Sequence, residues 1–375
     1  MEKIRLGVLF GGRSGEHEVS LVSATSVMQA LDPARFTVIP IGIAKTGAWL
    51  TGPDVLAHLN GADRGAGVAD CFLPPDPTRH GLLVCHGEGA FENIALDAVF
   101  PVLHGTCGED GTIQGLLELA ELPYVGSGVL ASALGMDKAL QKRVHVQSGL
   151  PVVPFASFSG KSWLEKPDEI IHYLEDALGY PVFVKPPNLG SSVGISKART
   201  REELIVAVDL ARGYDRTVIV EQSVENAREI EVAVLGNEGP IASMPGEIVP
   251  SNEFYDYNAK YVDGASSTLI PAELPQGIGE QVRALAIAAY KAIGCEGMAR
   301  VDFLVTRDLA HIVLNEVNTI PGFTSISMYP KLFEAAGIPY TELLSRLVDL
   351  ALERHAEKSA LLRSYDPGTD WHRGA

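Results

Sequence analysis

The chain has 375 residues, 46% apolar and 21% charged, with 38 glycines, 23 prolines and a formal net charge of −17. That length exceeds what one hydrophobic core serves and predicts two or three domains, and the composition excludes a disordered chain. The charge excludes a general nucleic-acid or anionic-membrane surface, which needs clustered Lys and Arg, but it leaves room for a local lysine pocket that takes a small anion.

In "MEKIRLGVLFGG" the apolar stretch is short and ends in glycines, so it reads as a first strand and not a signal peptide. After "IRLGVLF" come a turn over Gly11–Gly15, the helix "SLVSATSVMQAL", the strands "FTVIPIGI" and "DAVFPVLHG", and the helix "TIQGLLELAEL". The alternation predicts a parallel sheet with helices on both faces, over 1–126. "HLNGADRGAGVADC" (58–71) reads as a loop.

A compact α+β unit is expected over 127–222. Its helices are "MDKALQKRVHVQSG", "PDEIIHYLEDALG" and "REELIVAVDLARG", and its strands are "PFASF", "YPVFVKP" and "TVIVEQSV". A third unit, 223–357, holds the strand "EIEVAVLGN", the irregular segment 248–267, the helix "IGEQVRALAIAAYKAIG", two strands and a last helix, "TELLSRLVDLALERHAEK". Residues 358–375 read as a frayed tail. Cys71, Cys85, Cys107 and Cys295 form no CxxC and predict reduced thiols in a cytoplasmic protein. No run approaches the ~18 apolar residues of a membrane span.

The apolar run "HIVL" ends in "NEVNTIPG" (315–322), although Asn and Glu are poor strand formers. The preceding strand is "GMARVDFLV", and only "TRDLAH" separates the two, which predicts an antiparallel hairpin. A bend near Leu309 sets Asp302 opposite Glu316 and Arg300 opposite Asn318, all on one face. Opposed carboxylates repel unless something positive lies between them. Asp302, Glu316 and Asn318 offer three hard oxygen ligands that suit Mg²⁺, whose shell is completed by water and phosphate. The alternative is a polar, solvated sheet face, and a slip of one residue removes the arrangement.

A phosphate partner is offered by "VFVKPPNLGSSVGISK". Lys185 ends an apolar strand, and Gly190–Gly194 can wrap phosphate oxygens with backbone N–H groups. A plain Gly/Ser hairpin loop is the alternative. "SGKS" (159–162) is not a P-loop, because Phe155 stands where the first glycine belongs. "HEVSL" lacks the second histidine of a zinc HExxH, and "GGRSG" lacks the dinucleotide spacing.

Together these residues resemble the D-alanine–D-alanine ligases of the ATP-grasp superfamily, from Gly11 to about Leu344. The motifs are "GGRSGEHEVS" (11–20), "HGTCGEDGTIQG" (104–115), "MDK" (136–138), "KPPNLGSSVGISK" (185–197), "YDYNAKY" (255–261), "RVDF" (300–303) and "NEVNTIPGFTSISMYP" (315–330). The resemblance implies a three-domain architecture of α/β and α+β units, two of which clasp ATP. It implies that Lys138, Lys185 and Lys260 face the phosphates and that Ser192 lies in the loop closing over them. Glu221, Gln222 and Val224 would hold adenine, Glu229 the ribose, and Phe303 would join the nucleotide contacts. Asp302, Glu316 and Asn318 would bind Mg²⁺ or Mn²⁺, as two ions. Glu16 would take the ammonium of the first D-alanine with Ser191 and Tyr261, and His104 would lie nearby. Arg300 and Gly322 would stabilise an oxyanion, and Ser327 and Met328 would hold the carboxylate of the second D-alanine. Gln222 stands where the family often has Lys, "VENA" before Arg228 looks expanded, and the residues after Glu357 have no counterpart.

The implied activity is ATP-dependent formation of D-alanyl-D-alanine through a D-alanyl phosphate, releasing ADP and phosphate, for peptidoglycan synthesis. A lid over 254–262 would protect the acylphosphate from water. The implied protein is a cytoplasmic homodimer without nucleic-acid or membrane partners. Bland roles exist for single residues: Glu16 could serve a helix N-terminus, His104 could be a satisfied strand-end histidine, Lys138 a solvated helix charge, and the tyrosines of 255–261 a surface loop. The competing functions are another ATP-grasp enzyme, disfavoured by "SGEHEVS" and "AKY", and a nucleotide sensor, disfavoured by the intact metal ligands.

Overall fold

In the computed structural model, residues 2–87, 89–190, 193–249 and 267–365 are described. Three sheets organise the described residues. The first is seven-stranded, in the order β6-β5-β4-β3-β2-β1-β7. Its strands are β1 (Ile4–Gly11), β2 (Phe36–Ile43), β3 (Trp49–Thr51), β4 (Ala69–Phe72), β5 (Gly81–Cys85), β6 (Phe91–Ala95) and β7 (Ala98–Val102). β1 is parallel to β2 and β7, whereas the β2–β3, β3–β4, β4–β5 and β5–β6 pairs are antiparallel. The expected parallel arrangement is present in β2-β1-β7, and the antiparallel strands β3 to β6 extend it on one side into a mixed sheet. β3 and β4 are three and four residues long, and the first three residues of β6 are exposed, so none carries the long apolar run that marks β1. The expected loop over 58–71 holds the end of α2 (Val55–Leu59) and the start of β4.

The second sheet, in the order β10-β9-β11-β8, is antiparallel. It comprises β8 (Phe155–Ser159), β9 (Val182–Lys185), β10 (Ser196–Ala198) and β11 (Thr217–Gln222). Behind it lie α6 (Gly160–Glu165), α7 (Pro167–Leu178) and α8 (Arg201–Ala211). Ile171, Leu174 and Leu178 form the apolar stripe that α7 buries, with Pro167 in its first turn.

The third sheet contains β12 (Ala227–Leu235), β13 (Ile241–Ala242), β14 (Gly246–Val249), β15 (Ser267–Leu269), β16 (Met298–Thr306) and β17 (Ile312–Asn318). Its path is β15-β14-β12-β16-β17, with β13 beside β12. One face packs Ile230, Val232, Val301, Phe303, Leu314 and Val317 against Val282, Ala286, Ala289 and Tyr290 of α9 (Gln276–Ala292). The other face carries the polar residues of the candidate site.

The remaining helices among the described residues are α1 (His17–Ala30), α3 (Thr112–Leu119), α4 (Val129–Met136), α5 (Lys138–Gln147), α10 (Met328–Ala335) and α11 (Tyr340–Ser359). One core joins the two ends of the chain. Leu6, Val8 and Phe10 of β1 share it with Phe323, Tyr329 and Phe333 and with Leu343, Leu347 and Val348 of α11.

Candidate functional site

The β16–β17 register sets Arg300 opposite Asn318 and Asp302 opposite Glu316, with a bulge between this pair and the Phe303–Leu314 pair. Asn315 is the extra residue. Ile312, Leu314 and Val317 are buried, while Asn315, Glu316 and Asn318 are half-buried. In a regular strand Glu316 would follow Leu314 into the core, two residues on. The bulge turns it to the polar face instead.

On that face Arg300 donates to both oxygens of Asp302, at 2.7 and 2.6 Å, and its Nε lies 3.1 Å from Glu231 Oε2 on β12. Burial would lower the Arg300 guanidinium; Asp302 and Glu231 overcome this and push it well above its ordinary value. Asn318 Nδ2 donates to Asp302 at 3.0 Å. The Glu316 carboxylate lies 3.1 Å from Lys138 Nζ, which also donates to the Leu189 carbonyl at 3.0 Å. Lys138 is thus no solvated helix charge. It opens α5, whose N-cap Asp137 accepts from the Ala139 and Leu140 amides.

One turn along α5, Lys142 is 1% exposed. Its Nζ donates to the Asn315 carbonyl at 2.9 Å and lies 3.5 Å from Glu221 Oε1. Lys185 donates to Glu221 Oε2 at 2.8 Å. Burial would raise the Glu221 carboxyl, but the two lysines hold it below its ordinary value. Burial pushes the Lys142 ammonium down, which Glu221 offsets only in part. Lys142 and Glu231 were not anticipated from the sequence. A lysine four residues after Lys138 does signal a shared helix face, and Glu231 shares a strand face with Glu229.

Glu16 opens α1 without capping it by its side chain. A Cβ on Gly105 or on Gly190 would each come within 2.7 Å of Glu16 Oε2, so the turn after β7 and the loop after β9 both close on this carboxylate. Leu189 precedes Gly190 and bonds Lys138, which pairs with Glu316. Glu16 is thereby joined to the hairpin through consecutive contacts.

His104 is buried, with Nε2 3.1 Å from Ser23 Oγ and Nδ1 3.4 Å from Glu109 Oε1. Burial would lower the imidazole, but Glu109 and Glu16 raise it above its ordinary value. Ser327 immediately precedes α10 but does not cap it by its side chain, which instead accepts from the Thr324 amide at 3.0 Å, and a Cβ on Gly322 would lie 2.6 Å from its hydroxyl.

Several expected residues stand apart. Phe303 is 1% exposed in the core on the opposite sheet face, and Met328 is buried in the core shared by the chain ends. Gln222 donates to the Leu178 carbonyl at 3.0 Å, and Val224 follows it half-buried. Glu229, opposite Leu304, continues the row of Glu231. Ser191, Ser192, Lys260 and Tyr261 lie outside the described residues.

Among the described residues no three Asp, Glu, His or Cys side chains form a ready metal cage. Two opposed carboxylates with one amide fit a hard divalent ion that takes its remaining ligands from water and phosphate. Arg300 and Lys138 now neutralise the two carboxylates. A second feature of the N-terminal unit is a cavity of about 230 Å³, lined by Gly12, Trp49, Leu103, His104, Cys107 and Ile113 among others.

The family model described as D-ala D-ala ligase N-terminus matches residues 5–127, and that described as D-ala D-ala ligase C-terminus matches 144–349. A D-alanine–D-alanine ligase of Heliobacterium modesticaldum is 53% identical over 358 residues, covering 96% of this chain and 97% of its own. One from Thermoanaerobacter sp. is 54% identical over 360 residues, covering 96% and 99%. Among solved structures, the D-alanine–D-alanine ligase of Coxiella burnetii superposes with a TM-score of 0.82 at 37% identity, over 96% of this chain and 98% of that one. The VanG D-Ala:D-Ser ligase of Enterococcus faecalis does so with a TM-score of 0.83 at 36% identity, over 93% and 100%. The chain belongs to the D-alanine–D-alanine ligase family.

Proposed function

We propose that the protein joins two D-alanines to D-alanyl-D-alanine, activating the first with ATP as a D-alanyl phosphate and releasing ADP and phosphate, in the cytoplasm and for peptidoglycan synthesis. The observation that carries this reading is that Lys138 pairs with Glu316, which stands opposite Asp302, while Lys185 pairs with Glu221, a carboxylate that also feels the charge of Glu316. Cations for phosphate and oxygens for a divalent ion are thus neighbours in one charged network. Lys138 and Lys185 hold the phosphates, and Lys260 and Ser192 close over them. Glu221, Gln222 and Val224 border adenine, with the Glu221 carboxylate turned to its lysines, and Glu229 takes the ribose. Asp302, Glu316 and Asn318 hold Mg²⁺ or Mn²⁺, as two ions. The metal supplies charge neutralisation at the transferring phosphoryl group.

Glu16, between Gly105 and Gly190, receives the ammonium of the first D-alanine, with Ser191 and Tyr261 as partners and His104 nearby. Arg300 and the Gly322 N–H then stabilise the oxyanion formed when the second amine attacks; one such donor is worth ~10²–10³ in rate. Ser327 and Met328 hold the second carboxylate, Met328 through its backbone because its side chain is in the core. The working unit is a homodimer of chains, each divided near residues 126 and 222. Among the described residues no helix is long and apolar enough to cross a membrane.

The likeness to a D-Ala:D-Ser ligase supports a second reading, in which the acceptor is D-serine. ADP release over D-alanine, D-serine and D-lactate, with products separated by mass, tests both. Dominant D-alanyl-D-alanine is expected. A dominant mixed product overturns the acceptor assignment, and no ADP release with any D-substrate overturns the activity.

A further inference from the structure

Lys142 sits where three parts of the site meet. It lies on α5, one turn beyond Lys138. Its ammonium touches the carbonyl of Asn315, the bulge residue that turns Glu316 to the polar face, and faces the Glu221 oxygen that Lys185 does not hold. It is 1% exposed and Glu221 is 3% exposed, so a phosphate could reach Lys142 only by displacing packed side chains. Lys185 and Lys138 are more open, with side chains 12% and 11% exposed.

We propose that Lys142 is a positioning residue of the nucleotide site, the permanent counter-ion of Glu221 that leaves Lys185 free to move to a phosphate while it fixes the bulge beneath Glu316. This rests on the reading of Lys185 as a phosphate contact. A buried carboxylate stripped of its partner is strongly unfavourable. If Lys185 alone neutralised Glu221, each nucleotide that drew Lys185 away would strand that carboxylate. With Lys142 in place Glu221 keeps a cation throughout, and the exchange is between two paired states. The arrangement also explains why one carboxylate is set between two lysines at 3.5 and 2.8 Å.

The test is titration calorimetry with ADP, without metal and without D-alanine. It compares wild type, K185M, K142M, K142R and the double variant K142M/E221Q, each checked by thermal melting. Wild-type binding that K185M weakens supports the underlying reading; absent binding, or K185M equal to wild type, refutes that reading whatever Lys142 does. K142M is expected to bind about tenfold or more weakly, because Glu221 then holds Lys185. K142R should restore most of the loss, and K142M/E221Q, whose neutral amide no longer competes for Lys185, should bind more tightly than K142M while staying short of wild type because Glu221 also borders adenine. Removing the second charge relieves the stranded carboxylate and so restores stability as well; the deciding readout is therefore the ADP affinity of the folded protein, not the melting temperature. K142M within threefold of wild type, or a folded double variant no tighter than K142M, overturns the proposal. Should K142M not fold, K142R and the double variant carry the test: K142R must bind within threefold of wild type and the double variant more tightly than K185M, and failure of either overturns it.

Discussion

Asp302 accepts from Arg300 and from Asn318, and Glu316 is met by Lys138, so each carboxylate is balanced by a cation before any ligand arrives. A divalent ion entering between them must draw on the same oxygens. Neutral amides of equal shape separate the charge from the packing. In D302N, Arg300 keeps Glu231 at 3.1 Å, whereas in E316Q, Lys138 loses its ion-pair partner but keeps a hydrogen bond to the Leu189 carbonyl, so D302N is the cleaner variant. The expected outcome for both is a kcat lowered by about 10²-fold or more at millimolar Mg²⁺, with the folded circular-dichroism spectrum retained. Steady-state phosphate release measures it, and near wild-type turnover in either variant would remove these residues from the metal site. His104 was legible as a site histidine and equally as a satisfied one. Its contacts with Ser23 and Glu109 explain its burial without any ligand, while Glu16 nearby leaves it close to the proposed first substrate.

At the level of elements, the converging loops make a sharper test than the strands. Gly190 follows β9 and Gly105 follows β7, and both lie against the Glu16 carboxylate. G190A would place a methyl group 2.7 Å from Glu16 Oε2, in a backbone conformation outside the left-handed region. Displacing a substrate-positioning group by about 1 Å can cost up to ~10² in rate. Expected is a 10- to 100-fold fall in kcat/KM for D-alanine, with ADP affinity within a few-fold of wild type and little change in melting temperature. An equal loss of ADP affinity would place Glu16 elsewhere in the reaction. G105A adds strain, because φ is +74° there, and should cost stability as well. The β16–β17 hairpin was readable because its turn is short and its apolar and polar residues alternate. The bulge had a signal too, since Asn315 and Glu316 are two polar residues in succession where a regular strand would bury one of them. By contrast, β3 to β6 are only three to five residues long, and β4 and β6 carry exposed positions, so their pairing depends on neighbours that no local pattern reveals. Lys142 went unseen because burial and partners from β11 and β17 are tertiary facts.

Across the whole molecule the two ends of the chain share one core, and the end of α11 is fastened to the N-terminal unit by charge. The Arg354 guanidinium donates to the carbonyls of Gly126 and Tyr124, the latter at 2.9 Å, and lies 4.4 Å from the centre of the Tyr124 ring. Its side chain is 11% exposed, whereas the neighbouring pairs Lys358–Glu118 and Arg363–Glu121 lie at the surface. These contacts should therefore not weigh equally. Exposed pairs contribute ~0–1 kcal/mol and are screened by salt, while charged hydrogen bonds in a half-buried setting contribute ~1.5–3 kcal/mol. R354A is expected to lower unfolding stability by about 2 kcal/mol at any ionic strength; R363A should lower it by less than about 0.5 kcal/mol, vanishing in ~1 M salt. Acid should loosen the same fastening. Burial would raise the Glu118 carboxyl, but Lys358 and Tyr124 hold it below its ordinary value in the folded state. The stabilisation is therefore present above the unfolded carboxyl value, near 4.3, and is lost as pH falls through the lower folded value. E118Q should unfold with a shallower pH dependence below pH ~5 than wild type, the two curves converging in strong acid. Denaturant melts of wild type, R354A, R363A and E118Q across pH 3–7 measure all of this, and an R354A variant as stable as R363A would show that the apolar core alone holds the chain ends together.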